Sequence, residues 1–185
     1  MNELSTSERA VSKTRDEIGR EAQRIEEAAL YSSKGHFKAA EIWGWSHHVL
    51  GLAIVVLAAI AGAKAFSKID ADGTIAGILS ITVAVLSSVA TFLNPNKNKT
   101  DHLSAGNKYE ALVNRVRIFR TIECWGESSD QALAAKLMKF SEEKAVLNQA
   151  SPQISFIAYS LAKRGIGRGE AAYLADTAKT DASKD

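Results

Sequence analysis

Histidine, the residue type that most often binds metals or transfers protons near neutral pH, occurs four times in this chain of 185 residues. His47 and His48 are adjacent, so on a helix they point to different faces and cannot bind one metal ion together. His36 and His102 have no partner at a spacing typical of a metal site, and no HExxH pattern is present. The spacing therefore favours histidines at an interface over metal ligands, and we expect no metal or other cofactor.

Two neighbouring carboxylates, Glu142 and Glu143, have the composition of an acid–base pair. They lie between Lys139 and Lys144, however, and such mixed charge is typical of a solvated helix face. The sequence also lacks the GxSxG and Walker motifs that position a nucleophile or a nucleotide phosphate. We therefore predict that the protein is not an enzyme.

A glycine-rich segment, Gly165–Gly169, follows a predicted helix and not a strand, so it lacks the context of a dinucleotide-binding loop. A turn is favoured, and contact of Lys163, Arg164 or Arg168 with a phosphate or nucleotide stays open as the alternative. The single cysteine, Cys124, cannot form an internal disulfide bond. We interpret it as a half-buried apolar side chain and not as a reactive thiol.

Charge is distributed unevenly along the sequence. The chain is 46% apolar and 24% charged, its net charge is +2, and no basic run stands out, so we expect no nucleic-acid partner. Residues 42–63 contain no Lys, Arg, Asp or Glu in 22 positions, and residues 73–96 contain none in 24. Each stretch is long enough to cross a bilayer, which takes about 20 apolar residues.

The two uncharged stretches predict transmembrane helices at 42–66 and 74–94. Aromatic and basic side chains commonly anchor the ends of such helices at the membrane–water interface, and the residues that fit this role are Trp43, Trp45, Lys64 and Lys97. A buried hairpin in a water-soluble protein is the alternative. The polar flanks disfavour it, because they offer too little apolar surface to surround two such helices.

The short connection at 67–73 predicts an antiparallel transmembrane hairpin with both chain ends on one side of the membrane. Five lysines flank the hairpin on its outer side, whereas the connection and its border carry two lysines beside two aspartates. The positive-inside rule then places both ends in the cytoplasm. Because residues 1–30 are charged throughout, no cleavable signal peptide is expected.

Small side chains recur along one face of the second predicted span. We call this set the small-residue seam, and its members are Gly73, Gly77, Ser80, Ala84, Ser87 and Thr91. A weaker version on the first span consists of Gly51, Val55, Ala58, Gly62 and Ala65. Small residues let helix backbones approach closely, and hydroxyl groups hydrogen-bond across the contact.

Two interpretations of the seam stay open. It packs the hairpin against itself, or it joins several copies so that Ser80, Ser87 and Thr91 line a narrow polar path. Two helices of one copy cannot enclose a pore, so conduction would require a homo-oligomer. Neither apolar centre contains an ionisable residue, which disfavours a pump or a coupled transporter.

The N-terminal segment 1–41 is predicted to carry a cytoplasmic amphipathic helix over residues 6–30. Ser5 and Glu8 fit a capping box with Ser5 as the N-cap. A narrow apolar stripe able to pair with another helix repeats every seven residues, at Leu4, Val11, Ile18 and Ile25, joined by Ala22 and Ala29.

The cytoplasmic segment 95–176 is predicted to form three helices, followed by a disordered tail at 177–185. The first begins at Thr100 or Asp101, runs to about Glu123, and has an apolar face made of Leu103, Tyr109, Leu112, Val113, Val116 and Phe119. The second begins at a capping box that opens with Ser128, and its apolar side is Leu133, Leu137, Phe140 and Leu147. The third begins at Ser151 with Pro152 in its first position, and its face is Ile154, Ile157, Ala158 and Leu161.

The predicted fold is therefore all-α, with a two-helix transmembrane hairpin and N- and C-terminal cytoplasmic helices that form a small bundle. The order of its segments resembles the SLATT family, the two-transmembrane effector domain that associates with SMODS and SLOG proteins. The resemblance covers about residues 10–175. It lies in the segments Glu41–His48, Phe92–Pro95, His102–Leu112 with Arg115 and Arg117 downstream, Ser151–Ile154, and Ala158–Ile166.

The resemblance implies a bacterial inner-membrane effector of a conflict or defence system. Such proteins are encoded beside, or fused to, nucleotide-signal synthases or sensors, and their proposed action is pore formation or membrane disruption. The family has no established catalytic residues to transfer to this chain. The rival hypothesis is a membrane-anchored adaptor, in which the spans only anchor the chain and the cytoplasmic helices recruit a partner protein.

Overall fold

The computed structural model describes residues 2–66, 73–126 and 128–171, with side chains from Lys13 onward. Within these residues the chain is all-helical and contains no strand. The helices are α1 Asn2–Ala65, α2 Thr74–Leu93, α3 Pro95–Thr121, a short 3₁₀ helix Glu123–Trp125, α4 Asp130–Ala150 and α5 Phe156–Gly167. The predicted disordered tail at 177–185 and most of the connection at 67–73 lie outside the described residues.

The described residues form two compact units. The flanking unit combines Met1–Ala39 with His102–Asp185, and the span unit consists of Ala40–Asp101. The flanking unit is therefore discontinuous in sequence, because the whole span unit is inserted between its two parts.

Three helices build the core of the flanking unit. The apolar stripe of α1 is buried at Ile18, Ala22, Ile25 and Ala29, as its heptad spacing predicts. It packs with α3 and α4 in one cluster that also contains Tyr109, Leu112, Val113, Val116, Phe119, Leu133 and Phe140. Leu137 and Leu147 pack against this cluster, so the predicted apolar side of α4 is confirmed. The helical bundle is held together mainly by this apolar contact, because helix propensity alone is too weak to do so.

Two predicted apolar faces need correction. Leu103 on α3 is exposed, and on α5 Ile157 and Leu161 are exposed while Ala158 is buried. The face that α5 turns to the unit is instead made of small residues, Ala158, Ala162 and Gly165, which allow its backbone to approach closely. The largest side chains of α5 are thus left outside the core.

Two predicted helix starts are wrong because the helices extend further. The backbone of α1 is helical from Asn2, so Ser5 lies inside the helix, which continues without a break to Ala65. α3 begins at Pro95 and not at Thr100 or Asp101. Pro95 suits the first helical position, where no backbone N–H is needed, and the Asn94 side chain accepts a hydrogen bond from the Lys97 N–H at 3.3 Å.

The caps of α4 and α5 also differ from prediction. α4 is capped by Ser129 and not by Ser128, and the Ser129 hydroxyl accepts from the Ala132 N–H. Ser151 is the C-cap of α4, and Ser155 caps α5 by accepting from the Ala158 N–H. In both cases the predicted cap is a serine that lies one to four positions before the true cap. Because both serines can cap a helix, the packing of the helix decides which of them does so.

The connection between α3 and α4 is held by Arg15 of α1, whose side chain is partly buried. Arg15 donates from Nε to Asp130 Oδ1 at 3.0 Å, and its two Nη groups donate to the carbonyl oxygens of Gly126 and Ser128, each at 2.8 Å. A longer bond of 3.4 Å reaches the carbonyl oxygen of Cys124. The planar guanidinium thus supplies donors to backbone carbonyl oxygens in the connection that accept no hydrogen bond within a helix.

Cys124 is fully buried and not half-buried as predicted. Burial raises the pKa of its thiol, and neighbouring Glu123 adds to that effect, whereas Arg15 and Arg120 oppose it. A thiol that stays protonated and covered is unreactive, which agrees with the interpretation of Cys124 as an apolar core residue.

Two helices, α1 and α2, contain segments long and apolar enough to cross a membrane by length and composition. Only 6% of the apolar segment in α1 and 0% of that in α2 is buried. A core helix of a water-soluble protein would be mostly covered, so this exposure disfavours the buried-hairpin alternative.

Candidate functional site

The small-residue seam lies on an open face of α2. Gly73, Gly77, Ser80, Ala84 and Thr91 are exposed, and Ser87 is half-buried. A Cβ atom added to Gly77 would meet no other atom within 4 Å. Gly73 precedes the helix as its N-cap, with φ of 71°, a backbone conformation that glycine adopts without strain. The half-covered face of α2 is an adjacent one, formed by Ala76, Leu79, Val83, Leu86 and Ala90.

The weaker seam of the first span is equally open. Gly51, Val55, Ala58, Gly62 and Ala65 are exposed, and no atom lies within 4 Å of a Cβ built on either glycine. The covered positions of this part of α1 are a different set: Leu50, Ala53, Ile54, Leu57 and Ala61. Within the span unit, therefore, the residues of both seams, apart from half-buried Ser87, are left on the outside.

Hydroxyl groups on the seam donate to their own helix. Ser80 Oγ donates to the Ala76 carbonyl at 2.8 Å, and Thr91 Oγ1 donates to the Ser87 carbonyl at 2.9 Å. This back-bonding leaves the hydroxyl oxygens with free lone pairs. They can accept hydrogen bonds from a neighbouring helix or from water.

A cleft of about 240 Å³ lies at one end of the span unit. Its walls come from the start of the first apolar stretch and from the end of α2 with the beginning of α3: His47, Leu50, Gly51, Ile54, Ala90, Thr91, Asn94, Pro95 and Asn96. Asn94 adopts a left-handed conformation, with φ of 43°, and its N–H donates to the Ala90 carbonyl. The side chain of Lys99 lies 3.5 Å from a Cβ built on Gly44.

The four predicted interfacial anchors have varied surroundings. Trp45 is 69% exposed, whereas Trp43 and Lys64 are half-buried. Lys97 is exposed, and its ammonium group donates to Asp101 at 2.5 Å, one helical turn away. The exposure of Trp45 agrees with a role at a lipid interface. The surroundings of the other three residues neither support nor contradict such a role.

A second feature, which the sequence analysis missed, is a buried polar layer between α1 and α3 of the flanking unit. We define the polar layer as Ser33, His36, His102 and Tyr109. Nδ1 of His36 lies 2.9 Å from Nδ1 of His102, and both rings are buried. Ser33 Oγ donates to the Gly106 carbonyl at 3.1 Å. The sequence analysis favoured interfacial histidines over metal ligands but did not pair His36 with His102, and the structure brings the two rings together between α1 and α3.

Tyr109 links the polar layer to α4. Its ring stacks on His36 with centroids 5.5 Å apart, and its hydroxyl donates to Asn148 Oδ1 at 2.7 Å. Burial raises the pKa of Tyr109, and a hydrogen bond with Ser151 opposes that effect. Burial also lowers the pKa of His36 from 6.5 to about 4, with a smaller contribution from the charge of His102.

The short distance between the two ring nitrogens requires complementary tautomers, because one nitrogen must donate and the other accept. Two neutral rings satisfy this condition, and two charged rings do not. No third His, Cys, Asp or Glu in the described part of the chain joins the pair in a metal-binding group. The polar layer can therefore share a proton and fix the register of α1 on α3.

The stripe positions carry the signal that could have located the polar layer. On α1 the buried stripe continues beyond Ala29 to Ser33 and His36. On α3 the buried stripe continues back from Tyr109 to His102. If the apolar pattern of α1 is continued toward its C-terminal end, and that of α3 toward its N-terminal end, both histidines fall in the contact between these helices.

Replacing Gly106 with alanine should destabilise the flanking unit by about 1–2 kcal/mol. A Cβ at this position would lie 2.7 Å from Cε1 of Phe37, so the ring would have to move. Denaturant titration of the full chain measures the effect, and Phe37→Leu should restore stability. Gly19→Ala is the matched control, because a Cβ at Gly19 meets open space. This substitution should stabilise the helix by about 0.5–1 kcal/mol, since alanine has the higher helix propensity.

The remaining predicted candidates have ordinary structural roles. Glu142 is exposed and Glu143 is half-buried, and Glu143 accepts a hydrogen bond from Arg115 Nη2 on the surface of the flanking unit. Gly165 and Gly167 belong to α5, so the predicted turn begins only at Arg168 and Gly169, where φ is 87°.

Comparisons with known proteins add no assignment to this geometry. No family model, curated protein or solved structure matches the chain. Function must therefore be argued from the open seams of the span unit and from the organisation of the flanking unit.

Proposed function

We propose that the chain is a two-span protein of the bacterial inner membrane that self-associates through the small-residue seam and permeabilises the membrane when triggered. The observation that carries the proposal is the exposure of small residues on both apolar segments. In the described part of one copy nothing covers most of these residues, and close helix packing through small residues is a main route to association in lipid.

The discontinuous flanking unit supports a hairpin topology with both ends on the same side. Arg120 Nε donates to Glu26 Oε2 at 2.8 Å, and Arg15 reaches Asp130 in the same unit. Residues on opposite sides of a bilayer could not make these contacts. If residues 40–101 cross the membrane, they must therefore cross it an even number of times.

The walls of the cleft in the span unit support antiparallel spans. His47 and Leu50, near the beginning of the first apolar stretch, share it with Ala90 and Asn94 at the end of α2. The lysine distribution then favours the cytoplasm for both chain ends.

The SLATT resemblance supplies the biological part of the proposal. It implies an effector of a bacterial conflict or defence system, activated by a nucleotide-signal synthase or sensor encoded nearby. In this proposal the trigger reaches the flanking unit, and the membrane-active element is a homo-oligomer of the spans. No cofactor or nucleic acid takes part.

Flux of ions and dye from liposomes that contain the purified full-length chain tests the proposal. We expect flux together with an oligomer captured by cross-linking, and Ala84→Trp should lower both by roughly tenfold or more, because it places bulk in the seam. Gly77→Leu should act alike. Val85→Leu is the control, because Val85 is 56% exposed on another face of α2 and tolerates an added methylene.

The pattern of results separates pore formation from the adaptor hypothesis. Equal assembly and flux for Ala84→Trp and Val85→Leu would contradict the role of the seam. A monomeric wild-type chain without flux, with and without added cyclic nucleotides, would favour a membrane-anchored adaptor over a pore-forming effector.

A further inference from the structure

Helix α5 exposes an unusual amount of apolar surface for a helix of 12 residues. Phe156 is 84% exposed and Ile157 is 65% exposed, and Tyr159 and Leu161 are also exposed. The helix is nevertheless firmly packed, because Ala158, Ala162 and Gly165 are buried on the opposite side. α5 is therefore an amphipathic helix whose larger apolar side chains point away from the core of its own unit.

The same exposed surface is strongly basic. Lys163, Arg164 and Arg168 are all exposed at the C-terminal end of α5. Between Glu143 and Glu170 the chain contains no Asp or Glu, so this segment carries an excess of positive charge. The Glu170 carboxylate packs against Gly165, which is on the buried side of α5. A surface that combines bulky apolar side chains with exposed cations is complementary to anionic lipid, whose acyl chains and headgroups match the two parts.

The segment that leads into α5 packs against α1 within the flanking unit. A Cβ built on Gly35 would lie 3.0 Å from Cδ1 of Ile154, so Ile154, two positions before the start of α5, contacts α1 at Gly35. The uncharged stretch begins only seven positions later, at Ile42. In a membrane-embedded chain, the covalent connection to the apolar stretches would by itself hold α5 at a high effective concentration at the membrane.

We propose that α5 is a peripheral lipid-binding helix that inserts Phe156 and Ile157 among anionic headgroups while Lys163, Arg164 and Arg168 pair with phosphates. This inference rests on the membrane location in the proposed function and extends it with a lipid preference. A weak amphipathic contact of this kind gains from the tether of the spans, because the chain is already at the membrane. An acidic protein surface would pair with the cations but would leave the exposed ring of Phe156 without a matching apolar layer.

A fluorophore on α5 of the full-length chain measures this contact directly. Ser160→Cys places the label at a half-buried position between exposed Tyr159 and Leu161 on α5, and Ser141→Cys places it at an exposed position of α4 as the matched control. Native Cys124 is fully buried and should take up little label, which wild-type protein treated alike verifies. Quenching by headgroup-labelled lipid is compared in vesicles of phosphatidylcholine alone and of phosphatidylcholine with phosphatidylglycerol.

We expect strong quenching at the Ser160→Cys label only in the anionic vesicles, with little change at the Ser141→Cys label. Replacing Lys163, Arg164 and Arg168 together with glutamine should weaken lipid partitioning of the helix by roughly a hundredfold, since each cation contributes about fivefold. Phe156→Ser should also reduce quenching, whereas Lys139→Gln on α4 should not.

Absence of quenching in the anionic vesicles, or equal quenching in both kinds of vesicle, would overturn the proposal. Flotation of the chain with neutral vesicles reports separately on the spans. A chain that floats without quenching on α5 retains the proposed membrane location and loses only the lipid-binding helix. A chain that does not float with neutral vesicles contradicts the proposed function itself.

Discussion

Arg15→Met should lower the free energy of unfolding of the flanking unit by about 2–4 kcal/mol, one of the two largest single-residue effects that we expect in this protein. The substitution removes three short charge-assisted hydrogen bonds and leaves the carbonyl oxygens of Gly126 and Ser128 without their donor. The side chains of Arg15 and Asp130 are 20% and 29% exposed, so solvent screens the ion pair only in part. Most of the loss comes from the geometry of the fork, since Arg15→Lys should recover little of it.

Hydrogen exchange of the full chain in detergent micelles checks this expectation at the connection itself. Amides between Glu123 and Asp130 should exchange much faster in Arg15→Met, and the core of α3 should follow at lower denaturant concentration. Arg20→Met is the control, because the Arg20–Glu17 pair is about 60% exposed on both sides and should contribute less than about 0.5 kcal/mol. Similar exchange in the two variants would contradict the anchoring role of Arg15.

Acidification from pH 7.5 to 5 should destabilise the flanking unit by about 2 kcal/mol through His36 alone. The pKa of His36 is about 4 in the folded chain, against 6.5 for the ordinary side chain. The unfolded chain therefore binds the proton first as the pH falls. The contribution of His36 to stability is complete above about pH 6.5, declines below it, and is fully lost near pH 4.

The double variant His36→Phe with His102→Leu should remove most of this slope, because no buried imidazole remains to be charged. His36→Ala alone should cost about 2–4 kcal/mol at pH 7.5, since it leaves His102 buried beside a cavity. His48→Gln, at an exposed position outside the polar layer, should keep the wild-type slope. An unchanged slope in the double variant would assign the acid sensitivity to other groups.

Apolar periodicity predicted the parts of the fold that depend on burial. The stripe of Ile18 and Ile25 on α1, and that of Leu112 and Phe119 on α3, are buried as their spacing indicates. The two uncharged stretches are equally plain in the sequence, because no other stretch of the chain runs for more than 20 positions without a charged residue. Large-scale patterns of this kind integrate over many residues and are insensitive to any one of them.

Local signals were less reliable because several residues competed for the same role. Ser128 and Ser129 are both good N-caps, and the packing of Leu133 into the core selects Ser129. Ser151 with Pro152 is a strong start signal, yet the Ser151 N–H donates to Leu147 and ends α4 instead. The histidine pair escaped notice because its members are 66 positions apart and no local spacing connects them.

The insertion of the span unit into the flanking unit has a consequence for biosynthesis. Glu26 and its partner Arg120 are 94 positions apart, and Arg15 and Asp130 are 115 apart. As the ribosome releases the chain, the apolar stripe of α1 emerges first, and both uncharged stretches must follow before α3 and α4 can cover it. Closure of the core is therefore a late event that requires completed synthesis of both stretches, and a chain arrested after α2 would present an uncovered stripe to chaperones and proteases.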